Sequence, residues 1–579
     1  MYSTQRTRGN VAFRVSVWLI VVATLAHPIP AAHAASNEAL EAEHGMVASR
    51  SRLASVVGRY VMEKDGGNAI DAAVAASFAL AVTYPSAGNI GGGGFMVIRL
   101  ADGTIVTNDH RERAPAAATR DMFLDASGAI VKGRSTESHL AAGVPGTVAG
   151  LLDVLDKYGT LPRKKVMMPA IVLAKTGFHL TADLASDLES EKETFAKHPS
   201  SARIFTKKDG SAFKEGELFV QKDLALTLDR ISARGRDGFY DGPVASLIVA
   251  EMQRGGGLIT LADLKDYHSI WREPVRGTYR GFEIVSMPPP SSGGALLIEM
   301  LNMLEPYDLR AMGFGSADTM HVMIEAERRA YADRAQYLGD PDFYPVPLAT
   351  LIDKAYAKSR FADFDPKRAS TSVAIGPGQI AEHPNTTHIS VMDAKGNAVA
   401  YTTTLNLSYG SKIVVDGAGF LLNDEMDDFS SKENTPNAYG LVGREANEIA
   451  PGKRMLSSMT PTIVLDEQKQ PMLVTGSPGG STIITTVLQV IVNVIDHQMD
   501  VADAVAAPRF HHQWLPDRVV YERYGFSPDT IALLRERGHQ NVGVLPFDRG
   551  LGDANSIGRV GTLLYGMSDP REQGAAVGY

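Results

Sequence analysis

The stretch His383–Asp393, HPNTTHISVMD, passes within a few residues from loop-forming side chains to the apolar/polar alternation of a β-strand. A turn at Lys395-Gly396-Asn397 and a second alternating run, AVAYTTTLN (Ala398–Asn406), complete a hairpin. Two readings of Thr386 compete. In the first it is an ordinary strand-start threonine with a weakly nucleophilic hydroxyl. In the second its hydroxyl attacks the carbonyl of Asn385, the acyl group shifts to an ester, and water releases it. Thr386 then begins a new chain, and its α-amine, with a pKa of about 8, serves as base for its own hydroxyl. A loop-to-strand junction suits the second reading, because the bond between Asn385 and Thr386 must be held from both sides.

Outward from this hairpin, the chain alternates between buried strands and apolar helices. GGNAIDAAVAASFALAVTYP (Gly66–Pro85) reads as a buried Ala-rich helix capped near Asn68 and ended by Pro85. SAGNIGGGG then breaks regular structure, and FMVIRLADGTIVTNDHRE (Phe95–Glu112) forms a second hairpin. TPTIVLDEQKQPMLVTGSPGG forms a third, followed by an apolar helix and an amphipathic one in STIITTVLQVIVNVIDHQMDVADAVAAP. Roughly residues 145–380 are mostly helical in pattern, as in GTVAGLLDVLDKYG and DTMHVMIEAERRAYADRAQYLG. No Gly/Pro/Ser-rich linker interrupts the chain. The expected architecture is one compact α+β unit with helices covering the sheets.

Composition narrows the function. The 579 residues are 44% hydrophobic and 21% charged, with a formal net charge of −9, which argues against a nucleic-acid-binding face. With no cysteine, thiolate metal sites and a cysteine nucleophile are excluded. Arg6, Arg8 and Arg14, the apolar run Val15–Ala26 and the small-x-small Ala32-His33-Ala34 predict a signal peptide over residues 1–34, hence a periplasmic or secreted protein. GNIGGGG lacks the Gly-Lys-Ser/Thr ending of a phosphate loop, so close backbone packing or a substrate-facing turn is expected of it. His511-His512 would point to opposite faces of a strand, a structural rather than metal-binding arrangement. There is no Gly-x-Ser-x-Gly elbow.

The ordered motifs GGNAIDAAVAASFAL, GNIGGGGFM, RERAP, GVPGTVAG, PPPSSGG, GDPDF, NTTHISVMD, LLNDEMDDFS, LSSMTPTIV, GSPGGS and APRFHHQWLP span nearly all of the chain after its first 34 residues. On these the sequence resembles the γ-glutamyltransferases of the N-terminal nucleophile hydrolase superfamily. The resemblance implies an α+β fold, a four-layer αββα sandwich formed by two chains from one self-cleaved precursor. It implies a cut between Asn385 and Thr386, giving a helix-rich large chain of residues 35–385 and a catalytic small chain of residues 386–579. No metal or organic cofactor is implied.

The same resemblance assigns a site. A γ-glutamyl group carries an α-carboxylate and an α-ammonium, so its pocket needs a cation on one side and anions on the other. Arg111 in RERAP matches the carboxylate-binding arginine, whose planar guanidinium grips in two places. Ser457 and Ser458 match hydroxyls on the same carboxylate. Asp428, Glu425 and Asn406 match the ammonium side; some relatives carry Gln at the Glu425 position. Gly479 and Gly480 match the oxyanion-binding amides, Thr404 the threonine bonded to the nucleophile's hydroxyl, and Tyr439 the tyrosine of a lid over residues 430–455. The implied activity is transfer of the γ-glutamyl group of glutathione and related γ-glutamyl amides, through an ester on Thr386, to water or to amino acid or dipeptide acceptors. The processed chains would form a heterodimer. Two alternatives stay open: a glutaryl or cephalosporin acylase of the same superfamily, and an uncleaved, non-enzymatic binding protein. Glu425 and Asp428 favour the γ-glutamyl reading, since buried anions without an ammonium partner are costly.

Overall fold

The computed structural model describes residues 38–372, 384–433, 435–539, 541–546 and 550–579. The expected signal peptide lies outside the described residues. The helix Ala69–Thr83 is buried at every position, as its small apolar composition requires, and Asn68 and Asp71 form a reciprocal capping box at its start. It packs on the strand Pro384–Asp393.

That strand is central in a seven-stranded sheet. The order is Ala575–Gly578, Gly45–Ser49, Pro384–Asp393, Ala398–Leu407, Gly93–Arg99, Ile105–His110 and Ile270–Arg272. A second seven-stranded sheet runs Leu40–Ala42, Leu563–Ser568, Asn555–Val560, Pro471–Thr475, Thr462–Leu465, Phe282–Ser286 and Val275–Tyr279. The strand pairs of both sheets are antiparallel.

Strand periodicity then builds the layers. In the first sheet Met46, Ala48, Phe95, Val97, Met392, Ala398 and Ala400 meet Val285, Ile463, Val474 and Ile557 of the second in an inter-sheet core. The alternate residues Val47, Met96, Ile98, Ile389, Val391, Val399 and Tyr401 face an outer layer that includes the helices Arg52–Glu63, Ala69–Thr83 and Thr147–Tyr158. Likewise Tyr279, Ile284, Val464 and Leu473 face the helices Gly293–Leu304, Ala317–Tyr337 and Thr482–Ile495. The result is helix, sheet, sheet, helix. Both sheets interleave strands from before and after residue 385, so backbone ladders join the two parts of the chain.

The three hairpins read from the sequence are present. The helical reading of residues 145–380 needs correction, because Ile270–Arg272, Val275–Tyr279 and Phe282–Ser286 are strands inside it. These are short, and Val275–Tyr279 buries only its two ends, so little alternation reaches the sequence; pairing with neighbouring strands decides them. The Gly91–Gly94 run packs against backbone, as expected: a Cβ on Gly92 would stand 2.0 Å from the Thr404 carbonyl oxygen, and one on Gly91 2.1 Å from that of Leu421. Among the described residues no helix is long and apolar enough to cross a membrane.

Candidate functional site

Thr386 is 4% exposed and lies opposite Thr404 in the first sheet. Its hydroxyl donates to Thr404 Oγ1 at 3.3 Å, and Thr404 Oγ1 accepts from the Asn406 amide at 2.9 Å. The ladder is irregular at this point. Pro384 faces Leu407 and Thr386 faces Thr404, so the register slips opposite the Asn385–Thr386 bond. Asn406, inside the slip, has φ +80°, a left-handed conformation that few side chains adopt. The side chain of Asn385 lies outside the described residues. Asn89, which sequence reasoning did not single out, clamps this region from behind. Its amide donates to Thr403 Oγ1 and the Thr404 carbonyl, while its Oδ1 accepts from the Gly92 amide and the Thr147 hydroxyl. Its one sequence signal is a place among glycines that leave room for the clamp.

Arg111 follows the strand Ile105–His110 and is wholly buried, not a solvated hairpin end. Asp109 holds its backbone by accepting from the Arg111 amide at 3.0 Å, and also pairs with Arg272 at 2.8 Å and Arg454 at 3.4 Å. Tyr267 donates to the Arg111 carbonyl at 2.7 Å. The guanidinium pairs with Glu425 and, at 2.5 Å, with Asp428, and its Nε donates to the Met455 carbonyl at 3.2 Å. The cation and anions that the sequence reading sets on opposite sides of a pocket therefore touch one another. Burying a guanidinium is less costly beside anionic partners, and these two are in contact with it.

Glu112 adds a third carboxylate 3.6 Å from Arg111. Burial opposes the arginine's charge, but Glu425, Asp428 and Glu112 outweigh it and hold Arg111 protonated. The same burial pushes Glu112 up to about 7, Glu425 well above the ordinary range, and Asp428 upward, against the pull of Arg111. One arginine cannot neutralise three carboxylates, so burial shifts all three toward the protonated form. Between 4.5 and about 7 the folded chain keeps a proton on Glu112 that the unfolded chain has released. Stability is thus greatest below that window and falls as pH rises through it. Glu112→Gln should flatten this fall by on the order of 1 kcal/mol in denaturant titrations compared across the window; equal slopes for variant and wild type would refute it.

The remaining predicted residues close around these two groups. Gly479 and Gly480 have φ +136° and +56°, and a Cβ on Gly480 would lie 2.3 Å from the Tyr439 ring. Only glycine permits both that conformation and that contact. The helix Thr482–Ile495 starts two residues on, adding its positive N-terminal potential. Tyr439 is buried and donates to the Asn406 carbonyl at 2.6 Å, which ties it to the strand Ala398–Leu407. Asn437, two residues before Tyr439, reaches the charged group by donating to Asp428 at 3.1 Å. The Asn406 amide, assigned to the ammonium side, instead donates to the Asp424 carbonyl at 3.0 Å; its Oδ1 has no hydrogen-bond partner among the described residues. Ser457 is fixed by Ser292, whose amide and hydroxyl both donate to its carbonyl, and Ser458 Oγ accepts from Arg334 at 3.2 Å. Beside the segment Thr435–Ala438 lies a cavity of about 540 Å³ lined by Lys132, Glu137, Leu407, Lys412, Asp427 and Asn437.

Two histidine groups carry no site. His511 and His512 are buried and bonded to Thr485, Gln513 and Asp517, the structural role expected of them. His321, Glu325 and His539 converge, but Glu325 is already paired with Arg328 and Arg329.

A family model described as Gamma-glutamyltranspeptidase matches residues 54–579. The chain is 52% identical to the glutathione hydrolase proenzyme of Escherichia coli (strain K12), over 92% of this chain and 91% of that one. Among solved structures it is similar to cephalosporin acylase from Bacillus halodurans, with a TM-score of 0.83, 27% identity and coverage of 95% and 99% of the two chains. It is also similar to Helicobacter pylori gamma-glutamyltranspeptidase, with a TM-score of 0.56, 49% identity and coverage of 60% and 97%. The acylase likeness is one of fold at low identity, whereas the family model and the 52% identical relative span most of the chain: this chain belongs to the gamma-glutamyltranspeptidase family, on the N-terminal nucleophile hydrolase fold.

Proposed function

We propose that the chain is a self-cleaving γ-glutamyltransferase and glutathione hydrolase. The observation that carries this reading is the buried Arg111 flanked by Glu425 and Asp428, the charge complement of an α-amino acid head group. A bound γ-glutamyl donor would exchange these pairs: its carboxylate takes Arg111, Ser457 and Ser458, and its ammonium takes Asp428 and Glu425. The exchange leaves none of the buried charges without a partner, so desolvation is not repeated in full.

The γ-carbonyl would then lie against Thr386. Self-cleavage after Asn385 supplies the α-amine that takes the proton of the Thr386 hydroxyl as it attacks, and Thr404 orients that hydroxyl. The oxyanion is held by the Gly479 and Gly480 amides. The amine returns its proton to the departing peptide nitrogen, leaving a γ-glutamyl ester on Thr386. Water releases glutamate, or an amino acid or peptide amine, seated in the cavity beside the lid, takes the acyl group. Cleavage gives residues 35–385 and 386–579, held as a heterodimer by the interleaved sheets, in a protein exported to the periplasm or beyond.

The acylase alternative makes a different forecast. A glutaryl group lacks the α-amine and would leave Glu425 and Asp428 without a cation. Purified protein should run as two bands, the smaller beginning Thr-Thr-His-Ile-Ser on N-terminal sequencing. It should hydrolyse a γ-glutamyl anilide about tenfold or more faster than the glutaryl anilide. Faster glutaryl turnover would favour the acylase; a single stable full-length band would favour the binding protein.

A further inference from the structure

Arg334 sits near the end of the helix Ala317–Tyr337 and is 5% exposed. Its Nε donates to Ser292 Oγ at 3.0 Å and its Nη2 to Ser458 Oγ at 3.2 Å. Among the described residues no carboxylate is in ion-pair contact with it; beyond burial, Tyr331 and then Asp428 favour its charged form and Arg111 opposes it. Burial lowers it to about 10, so it remains a cation at neutral pH. Among the described residues, the buried Arg111 has Glu425 and Asp428, and the buried Arg454 has Asp109.

A buried cation held only by two hydroxyls is costly unless an anion completes it. The hydrogen-bond directions say where that anion would come. Both serines accept from Arg334. Ser292 passes its own proton to the Ser457 carbonyl at 2.6 Å. Ser458, its lone pair engaged by Arg334, has no acceptor for its own proton among the described residues. A hydroxyl in that state is an obligatory donor, and a carboxylate is what such a donor and such a cation would both favour.

We propose that Arg334 is a positioning residue for the α-carboxylate of the donor substrate, acting through Ser458 and through its own unpaired charge. This rests on the γ-glutamyl reading above. A role limited to bracing the Ser457–Ser458 turn would need two hydrogen bonds but no charge, and would not distinguish one substrate head group from another.

The experiment compares three anilides: γ-glutamyl, with carboxylate and ammonium; glutaryl, with the carboxylate alone; and 4-aminobutyryl, with the ammonium alone. Arg334→Gln should raise KM for the first two by about tenfold or more, change kcat by less than about threefold, and leave the third within about twofold. Arg334→Lys should recover part of the loss by restoring the charge. Ser458→Ala should show the same substrate pattern, and the double variant should lose less than the sum, because both act on one carboxylate. If Arg334→Gln is poorly folded or unprocessed, Arg334→Lys and Ser458→Ala carry the comparison. Equal losses on all three anilides, or unchanged KM for the carboxylate-bearing pair, would overturn the proposal. A wild-type enzyme that accepts the 4-aminobutyryl anilide as well as the γ-glutamyl one would instead sink the donor reading, and Arg334's role with it.

Discussion

Thr386→Ala is expected to yield a single full-length chain with no measurable γ-glutamyl turnover, a loss of at least about 10⁴-fold in kcat. One atom carries both events. The hydroxyl removed is the nucleophile that would break the bond to Asn385 and, afterwards, the one that would take the acyl group. Thr386→Ser keeps the oxygen and should process and turn over, more slowly, because the lost methyl no longer limits the side chain's rotamers. The fold should survive Thr386→Ala, since Thr386 contributes one hydrogen bond to Thr404 in a ladder that continues to Met392. Gel electrophoresis, circular dichroism and an anilide assay check the three statements. Processing in the alanine variant would mean that another group attacks the backbone, and the proposed mechanism would fail.

Arg111→Lys is expected to process normally yet raise KM for the γ-glutamyl anilide by about 10- to 100-fold. An ammonium keeps one ion pair but cannot span Glu425 and Asp428, or grip both oxygens of a carboxylate. The loss of one charge-assisted hydrogen bond, about 1.5–3 kcal/mol, sets that range. Arg111 also holds the Met455 carbonyl through its Nε, a contact the lysine cannot make, so the 455–458 segment should loosen as well. Processing should be spared because the irregular register opposite Asn385 belongs to the Pro384–Asp393 and Ala398–Leu407 strands. An unchanged KM would show that the carboxylate binds elsewhere.

Much of the frame was legible before the structure. The helix after Asn68 declares itself through a capping box and an unbroken small-apolar run, and the hairpins at 95–110, 384–407 and 462–475 through alternation around turn residues. Those signals are local: cap, turn and strand periodicity act within a few residues. The strands at 270–286 were hidden because their side chains gain a reason to alternate only once the second sheet stands beside them. Candidate site residues were legible as motifs, but their relations were not. Nothing near Arg111 in the chain announces that its charge is met by residues more than three hundred positions later, nor that Asp109 steers its backbone. Arg334 carries no sequence signal of its own, and Asn89 only its place among glycines.

What the sequence determined alone was the inventory: which hydroxyl could become a terminus, which glycines could take positive φ, and which charges were available. Tertiary structure alone decided the pairings: a slipped register opposite the Asn385–Thr386 bond, an arginine closed on three carboxylates, and another bonded to two serines with no carboxylate in contact among the described residues. The reason is that caps and turns are set by short-range sterics and hydrogen bonds, whereas a charge's partner is chosen by burial. Only the packed sheets and helices say which groups have lost water and must find one another.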